Sequence, residues 1–308
     1  MATLPAAIIR VGQDVSLAEY KVPLSRMRAV STNKWGGRLD AAGNLSRHGM
    51  QVVRFTDVDN PSLRIILRAT GVHGMLAEVP ATMTLAGFKT LEVTAKELGV
   101  VSEVSKIVHA WRQVLVKALN QPHERLAAIV TAMGVAWTFG LEEVFKKLVE
   151  YLGRNCLASS HGNLFFIPGD PNPVRSTFKI LRSIGKHIEE LIKALHIALS
   201  RVGTIIVEQY GSDNVNYCSK KSPLAAECKK QMLGELIVLG KKYVTLPPPE
   251  MTATMYAAKI KETKFRSVTA VHADCHVQLQ LCQRVDQALG QTFDLPAGLL
   301  AHSDTFKT

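Results

Sequence analysis

The sequence predicts a mostly α-helical protein with a small β-containing N-terminal part, an α+β fold with a helical core and apolar terminal arms. Two observations predict this class. Short runs rich in Val, Ile and Phe, bounded by Gly, Asn, Asp and Pro, occur within the first hundred residues. From about Val101 the apolar residues recur with a helical period instead. We therefore expect a β-containing part over residues 1–100, a helical core over 101–290 and a C-terminal arm over 291–308.

The N-terminal part contains three segments with the composition of strands: Ala7–Val11, Met50–Thr56 and Ser62–Thr70. The sequence DVDNP at Asp57–Pro61 predicts a hairpin turn between the second and third of them. Between the first two lies a Gly-rich basic loop, Ser31–Gly49, which contains Lys34 and Arg38. This loop either wraps a phosphate backbone or is an ordinary surface loop.

Capping residues, glycines and prolines divide the later part of the chain into successive helices. The predicted helices are Ser102–Leu119, His123–Trp137, Gly140–Gly153, Ser176–Gln209, Pro223–Leu239, Glu250–Lys264 and Ser267–Leu289. Gly153 is interpreted as the C-terminal stop of its helix. The longest uncharged window, Leu126–Leu141, is too short to span a bilayer and predicts a buried core helix, so no transmembrane segment is expected.

The composition favours a globular protein with a polyanionic partner. With 47% hydrophobic and 20% charged residues, wholesale disorder is excluded. Lys and Arg outnumber Asp and Glu by 37 to 26, and each third of the chain has an excess of positive charge, so the charge is not confined to a tail. Only 6% of the residues are aromatic, which argues against recognition built mainly on stacked bases.

The long predicted helix Ser176–Gln209 carries the clearest binding signal. Its apolar residues fall in one sector of about 120°. Five cations fall in a narrow sector on the opposite side: Arg175, Lys179, Arg182, Lys186 and Lys193. Such a line of cations suits phosphates independently of sequence, although a solubilising outer face is the alternative. Lys220 and Lys221, in the loop before the next helix, are a candidate clamp.

Possible metal and catalytic groups are weaker signals. His272 and His276 are spaced as in metalloprotease helices, but Ala273 stands where a general-base Glu is needed, and a structural core is the preferred interpretation over zinc. Cys156 and His161 have no visible third group to orient them. We therefore expect no metal, no cofactor and no enzymatic activity.

Five cysteines without a secretion signal favour reduced thiols and a cytoplasmic location. The terminal segments Met1–Ile9 and Gln291–Thr308 are apolar, whereas solvated tails are usually polar. Each arm is expected to dock either on its own domain or on a neighbouring copy, which would link subunits head to tail.

In overall plan the sequence resembles nucleocapsid proteins of segmented negative-strand RNA viruses and coat proteins of filamentous plant viruses. The resemblance implies a self-assembling subunit that binds single-stranded RNA in a positively charged groove, forms a homo-oligomer through its terminal arms and is located in the virion and the host cytoplasm. The residues expected to meet the phosphates are the five cations of the long helix, assisted by Lys34, Arg38, Lys220 and Lys221.

Two other function classes remain open. One is an interaction or scaffold protein whose basic face binds an acidic protein or a membrane surface. The other is an enzyme acting on nucleic acid, with His161 and Asp170 in the irregular segment Gly153–Arg175 as its candidate residues.

Overall fold

A computed structural model describes residues 6–11, 18–23, 25–26, 50–55, 58–71, 80–120, 125–158, 164–166, 168, 174–175, 179–211, 223–243, 251–262 and 277–290. The fold is mostly helical with a small three-stranded sheet near the N-terminus, which confirms the predicted α+β class. The described residues divide into two compact units, one on each side of a boundary between Leu148 and Val149.

The first unit contains a sheet with strand order β2-β1-β3. The strands are β1 (Ala6–Val11), β2 (Ala18–Pro23) and β3 (Gln51–Phe55). β1 pairs antiparallel with β2 and parallel with β3, so that it is the central strand. Its alternate residues Ala7, Ile9 and Val11 are buried, as expected for a strand with one face on a core. Ala7 and Ile9, which the sequence places in an apolar N-terminal arm, are thus part of the core of their own unit.

The prediction of a strand at Ser62–Thr70 is wrong, because this segment is helical. Helix α1 (Asn60–Ala69) begins after Asp59, whose side chain accepts a hydrogen bond from the backbone N–H of Ser62 at 2.9 Å. The hairpin turn predicted over residues 57–61 is therefore wrong: the helix begins within this segment at Asn60, with Pro61 in its first turn, where a proline is tolerated.

The rest of the first unit is helical and contains a buried aromatic group. The helices are α2 (Leu85–Leu98), α3 (Val101–Val108), α4 (Arg112–Lys117), α5 (Arg125–Thr138) and α6 (Glu142–Asn155), which extends into the second unit. Phe88 on α2 lies 6.0 Å from Trp111, edge to face, and 5.8 Å from Phe139, stacked, between ring centroids. The buried face of α5 confirms the core helix predicted for Leu126–Leu141.

Two features of the first unit differ from the sequence prediction. Helix α2 lies in the part of the chain expected to be β-containing, and the single helix predicted over Ser102–Leu119 is divided. Short 3₁₀ segments, His109–Trp111 and Ala118–Asn120, follow α3 and α4. A buried Trp111, whose Nε1 donates to the Pro80 carbonyl at 2.8 Å, lies where the first interruption occurs.

The second unit is built around one long helix. Its elements are β4 (Leu157–Ala158), β5 (Leu164–Phe166), β6 (Val174–Arg175), α7 (Lys179–Gly211), α8 (Pro223–Tyr243), α9 (Ala253–Lys261) and α10 (Val277–Leu289). The three short strands form an antiparallel sheet in the order β4-β5-β6. Helices α8, α9 and α10 all pack against α7.

Gly153 does not end its helix, contrary to the prediction, because α6 continues through it to Asn155. A side chain at Gly153 would collide with Leu191 of α7: an added Cβ would lie 2.3 Å from Leu191 Cδ2. The glycine therefore serves close helix packing rather than termination. Thr254 on α9 meets the same end of α6, with its hydroxyl 3.0 Å from Asn155 Oδ1.

The boundary between the two units lies after Leu148, within α6. The sequence pattern, by contrast, changes from β-containing to helical near residue 100. The predicted C-terminal arm, residues 291–308, lies outside the described residues, as do the N-terminal five. None of the helices in the described part of the chain combines the length and apolarity needed to cross a bilayer.

Candidate nucleic-acid interface

Helix α7 buries one face and exposes cations on the other. Its buried residues are spaced as the sequence predicts: Ile188, Leu191, Ile192, Leu195, Leu199 and Val202. Lys186 and Lys193, two of the five predicted phosphate-binding residues, are exposed on the opposite side. The amphipathic pattern of this helix therefore follows from its sequence alone, and these two lysines are available to a ligand.

The first residue of the predicted line is not on this helix. Arg175 lies in β6 and pairs with Leu164 of β5, and α7 begins four residues later at Lys179. The prediction that Arg175 extends the helical line is therefore wrong, because a residue in an extended strand does not share the angular register of a helix. Lys179 and Arg182 are on α7 as predicted, whereas Lys34, Arg38, Lys220 and Lys221 lie outside the described residues.

Two carboxylates share the outer side of α7. Glu190 is exposed and follows Lys186 by four residues, and Glu189 is half-buried. Within the described part of the chain, neither Lys186 nor Lys193 forms an ion pair with them. Lys186 and Lys193 are therefore available, but Glu190 makes this side of the helix less positive than its cations alone would suggest.

The two histidines of α7 add little charge at neutral pH. Burial lowers the pKa of His187, and nearby Glu190 opposes this shift only in part. Burial also lowers the pKa of His196, despite a hydrogen bond to the Met251 backbone that acts in the other direction. The neutral form of both imidazoles therefore predominates at pH 7.

A groove between α7 and α10 contains two arginines that the sequence analysis did not select. It is open to solvent on one side, has a volume of about 480 Å³ and contains Arg201 of α7 and Arg284 of α10. We call it the α7–α10 groove, and its other lining residues are Ala194, Ile197, Ala198, Val202, Gln287 and Ala288. No local pattern in the sequence indicates it, because the two arginines are 83 positions apart and belong to no motif.

The described residues contain no group of three or more His, Cys, Asp or Glu side chains placed to hold a metal ion. His272, His276, His161 and Asp170 lie outside them. Cys156 is fully buried beside the Leu157 carbonyl, at the start of the second unit, where its thiol is shielded from a substrate.

The sequence matches no protein family, and no similar curated protein or solved structure is found. The chemistry of the chain's own residues must therefore support any function assigned to it.

Proposed function

We propose that this protein binds single-stranded RNA independently of sequence and packages it as a self-assembling nucleocapsid subunit. The observation that carries the proposal is the outer side of α7, where Lys186 and Lys193 are exposed directly opposite the buried face. Their separation along the helix axis is about 10 Å at 1.5 Å per residue, so that one extended strand can contact both.

Charge and side-chain chemistry support a polyanion as the ligand. The net charge of +11 raises the local concentration of any polyanion and speeds its association. Lysine binds phosphate as a flexible point charge without base specificity, which suits a protein that covers RNA of any sequence. Arg201, in the C-terminal half of α7, and Arg284 of α10 add positive charge to the same unit.

Exposed apolar residues on α8 support self-assembly. Ile237 and Val238 are 42% and 67% exposed, although large apolar side chains are usually buried. A second copy of the chain is the partner that an assembling subunit offers for such residues. The apolar C-terminal arm, which lies outside the described residues, is the second proposed contact between copies.

The proposal is tested by reversing the two exposed lysines of α7. The double substitution Lys186→Glu and Lys193→Glu should weaken binding of a fluorescent single-stranded RNA, measured by anisotropy over a range of salt concentrations. The logarithmic salt slope should become shallower by about 0.7 for each phosphate that is no longer bound, or about 1.4 for two phosphates. Folding should be retained, because both side chains are exposed and oppose the buried face.

A matched control reverses two exposed lysines of the first unit, Lys106 and Lys117, which leaves the same net charge. The control should retain most of the affinity and the slope. Equally weakened binding in both variants would show that only overall charge matters, and would reject α7 as the contact surface. Wild-type protein that binds acidic vesicles but no RNA would instead favour the scaffold function.

A further inference from the structure

The α7–α10 groove combines two guanidinium groups with an apolar surface. None of its described lining residues is Asp or Glu, and within the described part of the chain neither Arg201 nor Arg284 forms an ion pair. Arg284 is oriented by a hydrogen bond from its Nη1 to Gln287 Oε1 at 3.3 Å. Because guanidinium donors match two oxygens of a phosphate at once, the groove is suited to a phosphate group.

The shape of the groove limits what can accompany the phosphate. Its volume of about 480 Å³ lies within the range of small-molecule sites. Val202 and Ala288 are buried and form its floor, whereas Ile197 on its wall is exposed. Only two of the described helices line the groove, so one side of a long alkyl chain would remain exposed to water. A compact planar group, such as a nucleobase, is a better match.

Alanines provide the space for such a group. Three of the lining residues, Ala194, Ala198 and Ala288, have side chains of one methyl group, which leaves room between the helices. Gln287 adds a polar edge: its Oε1 accepts from Arg284, and its amide N–H groups remain as donors for a base. An apolar floor, two arginines and an amide donor are together the chemistry that a nucleotide requires.

The groove lies near the exposed lysines, further along the same helix. Arg201 follows Lys193 by eight residues, about 12 Å along α7, and Lys193 follows Lys186 by seven. Because eight residues of an α-helix turn through about 80° beyond two full turns, a strand held by the two lysines reaches the groove by passing about a quarter of the way around α7.

We infer that the α7–α10 groove binds one nucleotide of the RNA strand, with Arg201 and Arg284 on its phosphate and its base on the apolar floor. This inference rests on the proposed function. It adds a nucleotide-sized site with base contacts to an otherwise sequence-independent surface.

The experiment measures binding of adenosine 5′-monophosphate and of single-stranded RNA to the full chain. Arg284→Gln should weaken binding of the mononucleotide by about 10- to 100-fold, the effect of removing hydrogen bonds to a charged group. Ala198→Leu fills the groove without changing its charge. It should therefore weaken the binding of both ligands about tenfold or more, while the salt slope of RNA binding stays unchanged. Arg112→Gln, an exposed arginine of the first unit, is the matched control and should bind as the wild type does.

The outcomes separate this inference from the proposed function. If wild-type protein binds RNA but no mononucleotide, and Ala198→Leu leaves RNA affinity unchanged, the groove inference is overturned and the proposed function stands. Absence of RNA binding overturns both, even if the mononucleotide binds. If Arg284→Gln weakens the mononucleotide but Ala198→Leu does not, the site holds phosphate alone and the base contact is rejected. Binding of decanoate without the mononucleotide would reject the inference in favour of an amphipathic carboxylate.

Discussion

Glu92 is a buried carboxylate of the first unit, with a side chain only 1% exposed. Its two oxygens receive hydrogen bonds from Lys89 at 2.6 Å, Lys96 at 2.5 Å and Thr138 at 2.7 Å. Burial by itself raises the pKa of a carboxyl group, but these three donors outweigh it and hold the pKa of Glu92 below its usual range. The charge therefore joins α2 to α5 and stabilises the fold.

We expect Glu92→Gln to lower the free energy of unfolding by about 1.5–3 kcal/mol at neutral pH, the value of hydrogen bonds to a charged group. The effect should stay in this range because Lys89 and Lys96 are 40% and 30% exposed and remain hydrated when the carboxylate charge is removed. Urea denaturation followed by circular dichroism measures the difference.

The destabilisation caused by Glu92→Gln should decrease as the pH is lowered. Since the folded-state pKa of Glu92 is lowered, its contribution is present above the unfolded-state pKa and is lost as pH falls through the folded-state value. The difference between wild type and Glu92→Gln should therefore shrink on acidification. Glu97→Gln, an exposed glutamate on the same helix, is the control and should have little effect at either pH. A difference that grows in acid would contradict the role of this carboxylate.

The sequence predicts part of this cluster. Lys89 and Lys96 are three and four residues from Glu92 on one helix, a spacing that favours ion pairs. Thr138 comes from α5, 46 residues away, and the burial of the carboxylate depends on that packing. No local pattern reveals it.

At the scale of an element, the contact between α6 and α7 depends on a glycine, which has no side chain to separate the two helices. Gly153 brings α6 onto Leu191 of α7, which is itself buried. The close approach determines how far apart these two helices of the second unit lie.

Gly153→Ala should therefore lower the free energy of unfolding by about 1–3 kcal/mol, the usual cost of overpacking, because the new Cβ must displace Leu191. The gain in helix propensity, about 0.5–1 kcal/mol, offsets only part of this cost. The matched control is Gly134→Ala in the middle of α5, where an added Cβ has no neighbour within 4 Å. In thermal denaturation, Gly153→Ala should lower the melting temperature, whereas Gly134→Ala should raise it. Two stabilised variants would show that Leu191 moves aside freely.

The prediction of a strand at Ser62–Thr70, where the structure has helix α1, was wrong for a clear physical reason. Ile65, Ile66 and Leu67 form a short apolar run whose length suits a buried strand as well as a helix. The Asp59 cap and the packing of α1 against α2 and α3 stabilise the helix instead. The same ambiguity does not affect α7, where 3.6-residue periodicity is sustained over many turns.

At the scale of the whole molecule, assembly is the property that the proposed function most requires. Val238→Glu places a charge on the exposed apolar site of α8 and should reduce the mass of the assembled species, because a charge buried between copies is costly. Light scattering at several protein concentrations measures that mass.

The control is Val93→Glu, an exposed valine on α2 of the first unit. It should leave the assembled mass unchanged while it adds the same charge. A protein that remains monomeric with and without RNA would contradict self-assembly, and an equal decrease in mass for both variants would exclude α8 as a specific contact.

The sequence by itself determined the α+β class, the amphipathic face of α7 and the core helix α5, because these depend on local periodicity and composition. Only the tertiary structure decided that Gly153 is a packing residue, that Glu92 is buried, that Arg175 is not on α7 and that Arg201 and Arg284 share a groove. The reason is the same in each case. These properties depend on which side chains meet across large separations in the chain, and burial, close approach and charge convergence arise only when separate elements pack together.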